Sequence, residues 1–157
     1  VNGLPTTDLT TSELPGAVLF ACNMNAIRSP MASALMRHLT NMKVYAKSAG
    51  VRSGENDPFT VSTMEEIGID ISAHEPITLS ALHDTSFDLI VSLTPEAHHQ
   101  ALELTRTMAV EVEYWPTLDP SLASGSRDQI MDAYRACRDQ LMQRIKERFT
   151  LTGGPVV

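Results

Sequence analysis

One loop carries most of the chemistry that this chain could perform. Cys22-Asn23-Met24-Asn25-Ala26-Ile27-Arg28-Ser29-Pro30 sets five residues between a thiol and a guanidinium. An apolar run, Ala17 to Ala21, precedes it, and apolar residues at helical spacing, Met31, Leu35, Met36 and Leu39, follow. A loop that turns into a helix N-terminus aims successive backbone N–H groups at one point, and the helix dipole adds positive potential there. Such a cradle suits an oxyanion, held by the loop from Asn23 to Ile27 and by Arg28. The planar fork of Arg28 can bond two phosphate oxygens at once, which a lysine cannot imitate. Thiols beside an arginine at a helix N-terminus ionise more readily than free ones, which suits Cys22 as a nucleophile. Ser29 can donate its hydroxyl to that sulfur, Asn25 is a residue type that tolerates left-handed backbone, and Pro30 suits a first helical turn. The competing view is a buried, inert thiol at a strand end; the strand before the loop and the Ser-Pro after it favour the catalytic one.

A second candidate lies far along the chain. Asp119-Pro120 leaves the run Ala109 to Trp115, which reads as a strand, so Asp119 is expected at the same sheet edge as Cys22. A carboxylic acid there could protonate a leaving oxygen and then activate water. Taken alone, Asp-Pro is also an ordinary turn. Cys137 falls on the apolar stripe Ile130, Tyr134, Cys137, Leu141 and Ile145, where a core role is expected and a resolving-thiol role is not. His38, His83, His98 and His99 have no metal-ligand spacing, and neither a metal nor an organic cofactor is expected.

The elements that must hold these residues alternate. Val44-Tyr45-Ala46 reads as a strand, Phe59 to Ile67 before Gly68 as a helix, and Phe87 to Leu93 as a strongly buried strand. Pro95 to Arg106 reads as a helix entered through proline, and a long amphipathic helix ends the fold. Strands joined by helical crossovers predict an α/β domain with a parallel sheet covered on both faces, ligands sitting beyond the carboxyl ends of its strands. With 157 residues, 43% of them hydrophobic, one domain is expected over residues 17–149, between an N-terminal tail (1–16) and a C-terminal tail (150–157). The tail could pack on a neighbour through Leu4, Leu9 and Leu14.

A formal net charge of -7 argues against general nucleic-acid binding. No apolar run reaches a membrane-spanning length and no secretory signal is evident, so a cytoplasmic location without membrane attachment is expected. Two cysteines without short pairing suit a reducing compartment. Whether two copies pair as a homodimer is left open.

The Cys22 to Pro30 loop resembles the signature loop of low-molecular-weight protein tyrosine phosphatases, a family related to thiol-dependent arsenate reductases. Ser48-Ala49-Gly50, Gly68-Ile69-Asp70 followed by His74, and Asp119-Pro120 match that family in order and spacing. The resemblance covers residues 17–149. It implies a three-layer, flavodoxin-like fold with a four-stranded parallel sheet in order 2-1-3-4. It also implies hydrolysis of phosphotyrosine, on a phosphorylated protein or a small aryl phosphate, through a cysteinyl-phosphate on Cys22, with Arg28 and Asp119 in the catalytic roles. Asn25, Ser29, Ser48 and His74 would then hold the cradle in shape through hydrogen bonds. Arsenate reduction and a catalytically silent phosphate-binding module are the alternatives. The chain departs from the family at Ile27, where many members carry a second cysteine, and at Ser121-Leu122, where an aromatic usually follows Asp-Pro.

Overall fold

The computed structural model describes residues 14–83 and 86–151. β1 (Ala17–Cys22) is buried along its whole length, as expected of a central parallel strand packed on both faces. Its side chains divide by parity. Val18, Phe20 and Cys22 enter one apolar cluster, while Ala17, Leu19 and Ala21 enter the other. α1 (Arg28–Leu39) follows, then β2 (Tyr45–Gly50), α2 (Pro58–Glu65), β3 (Leu89–Ser92), α3 (Pro95–Leu104), β4 (Glu111–Tyr114) and α4 (Arg127–Phe149). All strand pairs are parallel, in the order β2-β1-β3-β4.

Two layers of helix cover the sheet. Met31, Leu35 and Met36 of α1, Met64 of α2 and Tyr134, Leu141 and Ile145 of α4 share the cluster of Val18, Phe20 and Cys22. Ala97 and Ala101 of α3 share the other. The sidedness decides the site, because it sends Cys22 and the start of α1 to the same face. α4 begins with a reciprocal capping box between Ser126 and Gln129 and ends at Thr150, whose left-handed backbone closes the last turn. Cys137 is buried on its apolar stripe as expected. Arg138 is buried too, and is satisfied by the Thr63 carbonyl at 2.9 Å and by Glu66 and Asp139.

Most element boundaries shift from the sequence expectations. The second strand is displaced, since the ladder runs from Tyr45 through Gly50 rather than over Val44 to Ala46. The helix expected to reach Ile67 ends at Glu65, and Gly68 follows with φ 82°. Leu14 and Leu151, from the two expected tails, pack on the main cluster; residues 1–13, with Leu4 and Leu9, and 152–157 lie outside the described residues. Among the described residues, no helix is long and apolar enough to cross a membrane.

Candidate active site

The loop from Cys22 to Ile27 is shaped by where its carbonyls go. Val51 N donates to Cys22 O at 3.0 Å, Arg52 N to Asn23 O at 2.7 Å and Gly54 N to Met24 O at 2.9 Å. His74 Nε2 lies 2.8 Å from Asn25 O; a carbonyl only accepts, so the ring proton is on Nε2. Successive carbonyls are thus drawn outward, and the amides between them are left facing the loop interior. No described residue accepts a hydrogen bond from the backbone amides of residues 23 to 29. Ile27, at the start of α1, supplies no side-chain cap either. The donors that normally need capping therefore stay open, which is the condition for binding an anion at a helix N-terminus.

Asn25 is the keystone of this shape. It is fully buried, with φ 55°, in the left-handed region that asparagine tolerates better than most residues. Its Oδ1 accepts from Ile77 N at 2.9 Å and its Nδ2 donates to Ser29 Oγ at 2.9 Å. Because Nδ2 donates into that oxygen, the Ser29 proton is free to point at Cys22 Sγ, 3.0 Å away, in preference to Ala49 O at 3.5 Å. The hydroxyl is placed to stabilise negative charge on sulfur. Gly50 lets the loop close this tightly, since a Cβ there would sit 2.7 Å from Asn25 N and 2.6 Å from Arg52 O.

The expected partners gather at one edge of the sheet. Arg28 opens α1, and its guanidinium donates to Thr117 O at 2.9 Å and lies 3.9 Å from Asp119 Oδ2. Asp119 keeps its other oxygen on the Ser121 amide (2.9 Å) and hydroxyl (2.7 Å). Cys137 lies behind this group. Burial pushes its thiol up to about 12; the positive charge of Arg28 acts in the opposite direction, and the negative charges of Asp119 and Cys22 add to the rise.

Ser29 and His74 both hydrogen-bond within the loop, to Cys22 Sγ and Asn25 O. Ser48 does not, because no hydrogen bond joins its hydroxyl to the loop among the described residues. It opens instead on a groove beyond β2, and Ile77 N donates to the Asn25 side-chain oxygen Oδ1. Several contributors carried no residue-type signature, since Arg52, Gly54 and Ile77 act through their backbone amides. Thr94 was also missed: it donates to Asn23 Oδ1 at 2.6 Å and caps α3. Its place at the carboxyl end of β3, just before Pro95, was the available signal. Across the mouth, Arg52 and Glu96 form a doubly hydrogen-bonded pair at 3.0 Å. The Arg52 hydrogen bonds and then its charge hold the Glu96 carboxyl below its ordinary range.

A family model described as low molecular weight phosphotyrosine protein phosphatase matches residues 17–150. An arsenate reductase of Shouchella clausii is 31% identical over 138 residues, 87% of this chain and 96% of that protein. A crystal structure of a YwlE mutant from Bacillus subtilis superposes with a TM-score of 0.71 at 25% identity, covering 85% of this chain and 96% of that one. The tyrosine phosphatase Wzb from Escherichia coli, solved with sulphate, shares the fold with a TM-score of 0.71 at 21% identity over 87% of this chain and 98% of its own.

Proposed function

The chain belongs to the low molecular weight phosphotyrosine protein phosphatase family, and we propose that it hydrolyses phosphotyrosine or related aryl phosphate monoesters through a cysteinyl-phosphate on Cys22. The observation that carries this reading is the loop whose carbonyls from Cys22 to Asn25 are held from outside. Among the described residues, its amides from Asn23 to Ile27 are left without an acceptor in the loop that begins at the Cys22 sulfur, and the Arg28 guanidinium lies 3.9 Å from the Asp119 carboxyl group.

The chemistry follows from that arrangement. Phosphate oxygens take the amides from Asn23 to Ile27, and Arg28 turns its fork from Thr117 O toward two of them. The Cys22 thiolate attacks phosphorus, forming the S–P bond as the bond to the leaving oxygen breaks. Protonated Asp119 delivers its proton to that oxygen and becomes carboxylate. The same carboxylate then takes a proton from water, whose oxygen attacks phosphorus, breaks the S–P bond and releases inorganic phosphate. Ser29 stabilises the thiolate as it leaves. Amides fixed in advance need little reorganisation as charge develops on phosphate, which is where most of the acceleration arises.

The aryl preference has a surface to support it. Leu118 and Leu122, 89% and 82% exposed, flank Asp119, and Met24 of the loop is 41% exposed. Leucines this open on either side of the proposed acid offer apolar contact to a flat leaving group, in place of the aromatic residue the family often carries.

Arsenate reduction is the second reading, supported by the 31% identity to a protein of that name. Arsenate has the charge and shape of phosphate and fits the same ring. Opposing it, Cys137 is buried and its thiol is held protonated, so it is poorly suited to receive oxidation from Cys22.

Assaying the purified chain on p-nitrophenyl phosphate between about pH 5 and 8 tests the first reading. Cys22→Ser should fall to the uncatalysed rate. A wild-type chain no faster than Cys22→Ser would end the phosphatase proposal. Phosphate retained tightly with no turnover would make the site a silent binding module, and thiol-dependent arsenite production would favour the reductase.

A further inference from the structure

β2 ends the sheet on one side, with β1 as its one neighbour. A parallel strand turns the N–H and C=O of a given residue to the same side, alternating along the chain. The Tyr45 amide points inward, to Gly16 O, whereas Gly50 points outward, donating to Ile77 O at 2.9 Å and accepting from Leu79 N at 2.8 Å. Ala46 and Ser48 therefore also face outward. Arg37 satisfies Ala46 O at 3.0 Å. The Ala46 amide and both backbone groups of Ser48 have no partner among the described residues.

These free groups open on a groove of about 790 Å³ that lies away from Cys22. Val44, Ile71 and Ile77 give it an apolar lining. Its β2 side is cationic: Arg37, Lys43 and Lys47 stand there, two of them drawn from the chain's three lysines, in a protein of net charge -7. Neither lysine forms an ion pair with a described residue. The far wall carries Glu75 and Asp70, whose carboxylate is already taken by the Ser72 amide.

We propose that this groove docks an extended, acidic segment of a partner polypeptide, which adds to the sheet along the outer edge of β2 at Ala46 and Ser48. Free amide and carbonyl groups at two-residue spacing call for another backbone, the apolar lining takes alternate side chains, and the cationic wall selects their charge. The length is limited, because the Gly50–Thr78 bridge already closes the edge beyond Ser48. The docking does not depend on turnover at Cys22.

Amide hydrogen exchange of the full chain, followed by NMR, tests this without any reference to catalysis. The probe is a short, end-blocked peptide alternating valine with glutamate, and its counterpart carries lysine in place of glutamate. Saturating glutamate peptide should slow exchange at the Ala46 and Ser48 amides by about tenfold or more, equivalent to about 1.4 kcal/mol. The solvent-facing double change Lys43→Glu and Lys47→Glu should remove that protection while leaving exchange in β1 and β3 unchanged. Equal protection by the lysine peptide, or none by either, overturns the proposal. So does protection before any peptide is added: if independent of concentration, the chain covers its own edge, and if it rises with concentration, a second copy does.

Discussion

Asn25 offers a test in which the sign of the result is diagnostic. Replacing it by alanine removes the hydrogen bonds to Ile77 N and Ser29 Oγ and leaves the half-buried Ile77 amide unpartnered, a loss of about 1–3 kcal/mol. The φ of 55° adds a left-handed penalty of about 1 kcal/mol for a residue with a Cβ and no compensating side-chain bond. Asn25→Ala should therefore lose about 2–4 kcal/mol, read as a lower urea midpoint with an unchanged slope. Asn25→Gly loses the same hydrogen bonds but escapes the strain. At ordinary positions glycine is the less stable of the two by about 0.5–1 kcal/mol; here it should be the more stable by a similar amount. Both variants should turn over p-nitrophenyl phosphate about 100-fold more slowly, the scale set by losing a preorganised oxyanion donor. If glycine proves less stable than alanine, or both unfold at the wild-type midpoint, the account of how this loop is held is wrong.

Three further outcomes follow from the same geometry. Asp119→Ala should slow phenyl phosphate, a poor leaving group, by about 100-fold or more, and p-nitrophenyl phosphate far less, because protonation matters most when the departing oxygen is basic; equal slowing of both in steady-state assays would remove Asp119 from the acid role. Cys137 should resist iodoacetamide in the native protein while Cys22 is alkylated, as peptide mass spectrometry would show. Its thiol is raised to about 12, so the fold favours the neutral form: the contribution is complete below about pH 8.5, the ordinary thiol value, and declines toward pH 12 at about 1.4 kcal/mol per unit. Urea midpoints of the wild type should accordingly fall faster than those of Cys137→Ala between about pH 8.5 and 10.5, and parallel curves would contradict the burial argument.

How much of this was legible depended on whether a role rests on a side chain or on a backbone. The roles proposed for Cys22, Arg28, Ser29 and Asp119 rest on functional groups, whose types and spacing are visible in the sequence. The β1 run and the α4 stripe were equally plain, since burial of one face imposes a period. The start of β2 was misjudged because its later half, Ser48-Ala49-Gly50, is made of small residues with little strand preference. Gly50 is small for a reason outside the strand: the loop backbone passes within 2.7 Å of where a side chain there would begin. Ile77 gave still less warning, since it fixes Asn25 through its backbone amide, and every residue but proline has one. Ser48 failed for the complementary reason: a hydroxyl advertises hydrogen bonding, but the Asn25 oxygen is already met by a backbone donor.

The two enzymatic readings share every atom up to the adduct on Cys22 and part only over what removes it. Hydrolysis needs a base that can reach water on the open side of the ring. Asp119 is partly exposed there, with one oxygen held by Ser121 and the other 3.9 Å from Arg28. In the proposed hydrolysis, Arg28 turns to the phosphate and frees that second oxygen for water, so binding the anion would itself prepare the base. Reduction needs a second sulfur, as thiolate, within reach of the first. Among the described residues the remaining thiol is Cys137, which lies on the core face of α4 and is kept neutral by burial. To attack, it would have to leave the core and ionise, losing the burial that stabilises α4. The proposed hydrolysis therefore draws only on the chain's own residues, whereas the reductase reading depends on a thiol brought from outside.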